Sequence, residues 1–212
     1  SIIQNEKRLT HFRDINDCDL IVQKPKVDDF ISKYYRLITK DITALGYLFH
    51  LYTDKMFFGY LFNETFECLD KDNNPTIYIN NANTVRVKKN NTYHNLSDFF
   101  NHNYQFSIYK DYTTINKILL ENYNISFNEK KLLEYVVNFI NPGIEEVDYS
   151  KIIYVLNKTN NFINESYNNK ENNLNIFDLD IIKNFINVVL DNFIEDYDYL
   201  LNRTNNILSK KR

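Results

Sequence analysis

Glycine, proline, alanine and tryptophan are scarce in this chain of 212 residues, which has three Gly, three Pro, two Ala and no Trp. Phosphate-binding loops, nucleophile elbows and dinucleotide-binding turns need residues that accept positive φ and a close backbone approach, and glycine does this best. Gly46, Gly59 and Gly143 lie too far apart in the sequence to build such a loop. The sequence therefore excludes the common glycine-rich nucleotide-dependent enzymes, and we expect no cofactor.

Cysteine is equally scarce, since Cys18 and Cys68 are the only two. Two cysteines do not form the disulfide framework that stabilises small secreted domains, so we expect free thiols, with a disulfide as the alternative. Neither cysteine has the flanking residues of a catalytic nucleophile. This usage favours an intracellular protein, although seven Asn-x-Ser/Thr sequons leave a secreted protein open.

A strong charge imbalance and long apolar runs are also missing. The formal net charge is −3 at pH 7, which does not favour a general polyanion-binding protein but leaves room for a local basic patch. No apolar run reaches the roughly 18 residues that a membrane-spanning helix needs. We therefore expect no membrane span.

Asparagine and aromatic residues are abundant instead, with 34 Asn, 17 Tyr and 16 Phe. A hydrophobic content of 43% is enough for a sizeable core. Ile, Tyr, Phe, Lys and Asn are all encoded by AT-rich codons. The composition therefore indicates an AT-rich genome, such as that of a parasite, an amoeba or a large DNA virus.

Apolar residues at helical spacing predict most of the chain to be α-helical. In Val27–Lys40, for example, Phe30, Tyr34 and Ile38 share one side, and Asp41 is the predicted N-cap of the next helix. Further helices are predicted from Ile42 through Tyr52, from Asp111 to Tyr123, after a capping box at Ser126–Glu129 up to the stop signal Asn141–Gly143, from Asp148 to Tyr167, and from Asp178 to Leu208.

Short strands are predicted mainly in the middle of the chain. The segment Thr76–Asn91 reads as two strands around an Asn-rich turn, and Cys18–Gln23 and Tyr104–Lys110 are two further candidates. The predicted fold class is mostly α (α+β), with a helical bundle-like C-terminal half and a small antiparallel β hairpin region in the middle. We expect a single domain over 1–212, with a subdivision into a mixed α/β part, 1–110, and an all-helical part, 111–212, as the alternative.

The segment TYHNLSDFFNHN contains two of the four histidines, His94 and His102, with Asp98 midway between them. A helix that began at Thr92 would place these three side chains in one column, where they could bind a metal or act as acid and base. His11 and His50 would then be the remaining candidate ligands. Because asparagines surround the column, we favour a polar surface and expect no metal.

Two acidic segments resemble binding sites only in part. Asp70–Asn81 begins like a calcium-binding loop, but its sixth position is Pro75 instead of glycine and its twelfth is Asn81 instead of glutamate. We therefore predict a tight surface turn. Four acids near the end of the chain lack partners for catalysis and are predicted to form a solvated helix face; they are Asp191, Glu195, Asp196 and Asp198.

A basic and aromatic stretch around residues 78–106 supports a second hypothesis. Arg86, Lys88 and Lys89 could neutralise phosphates while Tyr104 stacks on a base, as in proteins that bind single-stranded nucleic acid. Aromatic residues next to strands belong more often to a core. We therefore keep nucleic-acid binding as the alternative and name these four residues as its candidate site.

The residue pattern as a whole favours a non-catalytic protein-binding or assembly protein of viral or parasite origin. We expect it to dock a protein partner through an aromatic-rich helical surface, because tyrosine supplies contact area at a low entropic cost. The rival hypotheses are the nucleic-acid-binding module, a metal-dependent enzyme that uses His94 and His102, and a structural subunit of a larger assembly.

Overall fold

The computed structural model describes residues 8–125 and 134–209, with side chains up to Tyr199. The chain is 58% helical and has one small antiparallel sheet of three strands. This confirms the predicted mostly α fold with a small β region. The chain divides into two compact units, Ser1–Asn63 with Asp180–Arg212 (unit 1) and Glu64–Leu179 (unit 2). The single domain over 1–212 stays a prediction.

The helices with defined bounds follow the periodicity of the sequence closely. They are α1 (Val27–Ile38), α2 (Ile42–Met56), α3 (Phe62–Thr65), α4 (Leu96–Phe99), α5 (Ile108–Asn122), α6 (Ile152–Asn168) and α7 (Leu179–Ser209), with a π-helical turn at Phe57–Leu61 and 3-10 turns at Ile15–Asp17 and Tyr149–Lys151. Helical backbone also occurs at residues 8–10 and 134–137. The predicted capping box at Ser126–Glu129 lies outside the described residues.

Unit 1 is built on the pairing of α1 with α2. Helix α1 buries Val27, Phe30, Tyr34 and Ile38, which recur every three or four residues and so share one face. The Asp41 carboxylate accepts hydrogen bonds from the Thr43 and Ala44 amides, which confirms the predicted N-cap of α2. The core of this unit continues through α2 and the π-helical turn, with Leu48, Leu51 and Leu61 fully buried.

Unit 2 contains the sheet, in the order β1 (Phe66–Leu69), β2 (Thr84–Val87) and β3 (Thr92–Asn95). Both neighbouring pairs are antiparallel. Val85 and Val87 point into the core, as predicted from their alternation with Arg86. β2 and β3 form a hairpin, although Thr92–Asn95 was not predicted as a strand, and Asn91 adopts the left-handed conformation in the connecting turn, with φ 55°.

The first strand of the predicted hairpin, at the start of Thr76–Asn91, is wrong. Ile77, Tyr78 and Ile79 are exposed, so their alternating pattern contributes nothing to a core. The strand that pairs with β2 on that side is Phe66–Leu69, which buries Phe66, Cys68 and Leu69. Burial against the rest of the unit, not local alternation, selects the paired strand.

The other two strand predictions are also wrong. Most of Cys18–Gln23 is turn and irregular backbone, with a single bridge residue at Leu20, after a 3-10 turn that the Asp14 carboxylate caps. Tyr104–Lys110 is a turn that leads into α5, whose N-cap is Ser107. Just before the first segment, the Asp14 carboxylate accepts a hydrogen bond from the Asn16 amide, and such a local bond favours a turn over a strand.

One buried carboxylate holds the polar loop that precedes α7 in unit 2. Asp111, only 1% exposed, accepts backbone hydrogen bonds from Asn175, Ile176 and Phe177 at 3.1, 2.7 and 2.9 Å. From the other side, the Lys89 ammonium donates to the carbonyls of Leu174 and Phe177, at 2.9 Å each. The loop therefore has both its amides and its carbonyls bound by side chains from distant parts of the unit.

Candidate functional site

An open cavity of about 360 Å³ lies on unit 1, against helices α1, α2 and α7. We call it the aromatic groove. Its lining is mostly aromatic and aliphatic, with a few charged side chains, and consists of Val27, Asp28, Ile31, Ser32, Leu48, Tyr52, Lys55, Phe193, Asp196, Tyr197 and Tyr199. All three helices that form it were expected from the sequence, but the groove itself was not.

A cluster of four rings includes three that line the aromatic groove, and the fourth, Phe49, packs against Phe193. The Phe193 ring lies edge-on to Phe49 and Tyr52, with centroids 4.9 and 5.3 Å away, and parallel to Tyr197 at 6.2 Å. Phe193 and Tyr197 are one turn apart on α7, so they present adjacent rings on one face. Such ring pairs each contribute about 0.5–1.5 kcal/mol beyond their buried area. The cluster is therefore a preformed surface.

A hydrogen bond between α2 and α7 fixes the polar edge of the aromatic groove. The Tyr52 hydroxyl donates to the Asp196 carboxylate at 2.9 Å. Burial, followed by this hydrogen bond, raises the pKa of Tyr52 to about 12. The phenol therefore remains a neutral donor at physiological pH, and Asp196 is held at the rim as its acceptor.

The apolar periodicity of α7 predicts a buried stripe that includes Ile182, Phe185, Val189, Phe193 and Tyr197, and this stripe becomes more exposed towards the groove. Ile182, Phe185 and Val189 are almost fully buried, as expected, whereas Phe193 and Tyr197 are half-buried. Further along, Tyr199 is 67% exposed, and Ile194, outside the predicted stripe, is 59% exposed. Tyr199 also lines the groove, so its exposed ring extends the apolar surface there. Asp191, Glu195, Asp196 and Asp198 are exposed, as predicted for a solvated face.

The proposed column of His94, Asp98 and His102 does not form. His94 belongs to strand β3, and Asn95 caps the short helix α4 that contains Asp98. The His94 ring packs among aromatic rings, and burial lowers its pKa. His102 instead stacks on Tyr109, with centroids 3.5 Å apart. The segment has a packing role, and its two histidines belong to different local clusters.

Two of the basic residues named for nucleic-acid binding bind within the chain. Arg86 forms an ion pair with Glu67, its opposite neighbour on β1, and Lys89 donates to two carbonyls of the loop before α7. Lys88 is exposed, and Tyr104 makes edge contacts with the rings of His94 and Phe106. The four residues named for nucleic-acid binding therefore do not form one continuous basic and aromatic surface.

The calcium-like segment at Asp70 forms the predicted tight turn. The Asp70 carboxylate accepts hydrogen bonds from the amides of Asp72 and Asn74, at 2.8 and 2.9 Å. Asn73 adopts the left-handed conformation, with φ 62°. These bonds occupy the carboxylate that would be the first calcium ligand, and they lower its pKa.

Cys18 and Cys68 are both free thiols, the first exposed and the second buried. Burial, reinforced by the charge of Glu67, raises the pKa of Cys68 to about 11. We expect a thiol reagent at pH 8 to modify Cys18 at least about tenfold faster than Cys68 in the folded protein, because the thiolate is the reactive form. Mass spectrometry of the labelled peptides measures both rates. Equal rates in the absence of denaturant would contradict this assignment.

A cluster of ligating side chains that the sequence did not suggest lies elsewhere on unit 1. His11, His50 and Asp54 have ligand atoms within 4.8 Å of one another. His50 and Asp54 are four residues apart on α2, a spacing that is visible in the sequence. His11 joins them only through the fold, which is why the cluster was missed.

Comparison with known proteins identifies no family. No family model matches the chain, and no solved structure matches it. A segment of 74 residues is 36% identical to an isoleucine–tRNA ligase of Macrococcus caseolyticus. The matched segment covers 33% of this chain and 8% of that protein. The chain thus spans a small part of the ligase. In the part of the chain that the structure describes, no helix is long and apolar enough to cross a membrane.

Proposed function

We propose that this chain is a non-catalytic protein-binding protein that docks a partner in the aromatic groove. The observation that carries the proposal is the cluster of Tyr52, Phe193 and Tyr197 on a concave helical surface, with Tyr199 exposed at its edge. Aromatic residues are enriched at the centres of protein interfaces, and tyrosine in particular loses little entropy when it binds. The AT-rich composition supports a viral or parasite origin.

The shape and chemistry of the groove favour an amphipathic helix as the bound segment. Grooves between helices accept such a helix through apolar anchors at positions i, i+3, i+4 and i+7. Asp28 and Asp196 supply negative charge beside the apolar surface, while Lys55 is the one basic lining residue. A partner helix with Lys or Arg next to its apolar anchors would complement this lining.

The nucleic-acid-binding alternative at Arg86, Lys88, Lys89 and Tyr104 has less support. Arg86 and Lys89 use their charged groups on Glu67 and on backbone carbonyls, respectively. Binding to phosphates would require them to give up these contacts. The predicted consequence of nucleic-acid binding, a steep loss of affinity with salt, remains the feature that distinguishes the two functions.

A parallel capture from native lysate tests the proposed function. The baits are the wild-type chain, Tyr199→Ala in the groove and Tyr135→Ala as a matched control, since Tyr135 is 73% exposed in unit 2. We expect one protein to be retained by wild type and Tyr135→Ala and lost with Tyr199→Ala, with or without nuclease. Equal retention by all three baits, or retention that nuclease abolishes, would contradict the proposal.

A further inference from the structure

The cluster of His11, His50 and Asp54 has the composition of a metal site. Each residue offers one ligand atom, and the three atoms lie within 4.8 Å of one another. Two imidazoles and one carboxylate are a common ligand set for divalent transition metals. The cluster does not include any residue of the aromatic groove, so it raises a question that is separate from partner binding.

A strained turn presents His11 to helix α2. Phe12, the next residue, has φ 51°, which a bulky side chain rarely adopts. The conformation is held by packing, because the Phe12 ring lies edge-on to the buried ring of Phe30 at 5.2 Å. Backbone strain of this kind costs about 1–3 kcal/mol and persists where the surroundings enforce it.

Hydrogen bonds behind His11 orient its ring. The Nδ1 atom lies 3.0 Å from the Thr10 hydroxyl oxygen, and the Tyr47 hydroxyl donates to the Thr10 carbonyl. The other ring nitrogen, Nε2, faces the Asp54 carboxylate at 3.7 Å. In a histidine that binds a metal, one ring nitrogen is characteristically held by a hydrogen bond in this way, and the other ring nitrogen is directed at the ion.

The distances are close to those that an ion requires. Bonds of about 2.0–2.1 Å in a tetrahedral site place the ligand atoms roughly 3.3 Å apart. The separation of 3.7 Å between His11 and Asp54 is near this value. His50 is exposed, so its ring can rotate inward and bring its ligand nitrogen closer to the ligand atoms of His11 and Asp54.

A neighbouring cation limits the affinity of the cluster. Burial lowers the pKa of Arg13, and the charge of Asp54 acts in the opposite direction, which places the guanidinium within electrostatic range of the carboxylate. A positive charge at this distance disfavours a bound cation. We therefore expect micromolar rather than nanomolar binding.

We propose that His11, His50 and Asp54 bind one divalent first-row transition-metal ion, with zinc as the probe of choice. Three protein ligands leave at least one coordination position for water. The ion would connect the segment before α1 to helix α2, and it would therefore stabilise the folded state of unit 1 in proportion to its occupancy.

Titration of the metal-free full chain with ZnCl2, by calorimetry, tests the site. A Cys18→Ser background removes the exposed thiol as a competing ligand. We expect one ion to bind with a Kd below about 100 μM. His50→Ala and Asp54→Asn should each weaken binding roughly 100-fold, whereas His102→Ala, which removes a histidine outside the cluster, should leave it unchanged.

Thermal unfolding supplies a second readout on the same variants. Zinc at about 100 times its Kd should raise the Tm of the parent and of His102→Ala by roughly 5–10 °C, and it should raise that of His50→Ala or Asp54→Asn by no more than about 2 °C. Circular dichroism without metal checks that the variants fold. A Kd weaker than about 1 mM in the parent, or affinities of His50→Ala and Asp54→Asn within about threefold of it, would overturn the proposal.

Discussion

Asp111→Ala should lower the free energy of unfolding by about 3–5 kcal/mol. This is a large share of the net free energy of unfolding of a typical domain, which is about 5–15 kcal/mol. The substitution removes the acceptor of three backbone amides. Two of these belong to Ile176 and Phe177, which are 1% and 0% exposed, so water cannot replace the carboxylate without opening the core. An unsatisfied buried donor costs about 1–3 kcal/mol.

Urea unfolding of the full chain, followed by circular dichroism, measures this loss of unfolding free energy. Asp72→Ala is the matched control, because Asp72 is an exposed carboxylate in the same unit; it should change the free energy of unfolding by less than about 0.5 kcal/mol. Asp111→Asn keeps the shape of the side chain but replaces one acceptor oxygen with a donor, so it should also destabilise. Equal stability of Asp111→Ala and Asp72→Ala would show that the loop before α7 is not held as the structure indicates.

Tyr199→Ala should weaken binding of the partner about 30-fold or more, while the stability of the chain stays unchanged. An interface tyrosine whose truncation costs about 2 kcal/mol or more corresponds to this factor. Tyr199 is 67% exposed, so its removal leaves the core intact. The Kd of the captured partner is measured by calorimetry for wild type, Tyr199→Ala and the control Tyr135→Ala.

Salt dependence of the same Kd separates the two functional hypotheses. An apolar groove should lose little affinity between 50 and 200 mM salt, whereas a protein that makes many phosphate contacts loses several orders of magnitude. Lys88→Glu, which spares the Lys89 contacts with the loop before α7, should leave partner binding unaffected. A steep salt dependence together with sensitivity to this substitution would favour a binding site at the Arg86–Lys89 stretch.

The helices could be predicted because their signals are local. Asp41 caps α2 through its own side chain, and the apolar positions of α1 and α7 recur with the period of a helix. The strands have only four residues each, and their pairing depends on burial against residues far away in the sequence. Alternation at Ile77–Ile79 was therefore misleading, and Phe66–Leu69 went unnoticed.

The candidate sites depend on the fold even more strongly. Tyr34 belongs to the buried stripe of α1, whereas Tyr199 lies one turn after Glu195 and Asp196, and its position at the edge of a groove follows only from the packing of α7 against α1 and α2. His50 and Asp54 show the spacing of ligands on one helix face, but the third member of their set comes from a turn before α1. Spacing predicts which side chains share a helix face, whereas sites shared by several elements appear only once the helices are packed.

Photo-crosslinking from a single groove position tests the central claim most directly. A photoreactive amino acid is placed at Tyr199, and a second variant carries it at Ile42, which is 80% exposed in the same unit but outside the groove. After irradiation in native lysate, the account predicts a protein adduct from position 199 that is absent from position 42, with the crosslink on an amphipathic helical segment of the partner. Identical adducts from both positions, or none from position 199, would contradict it.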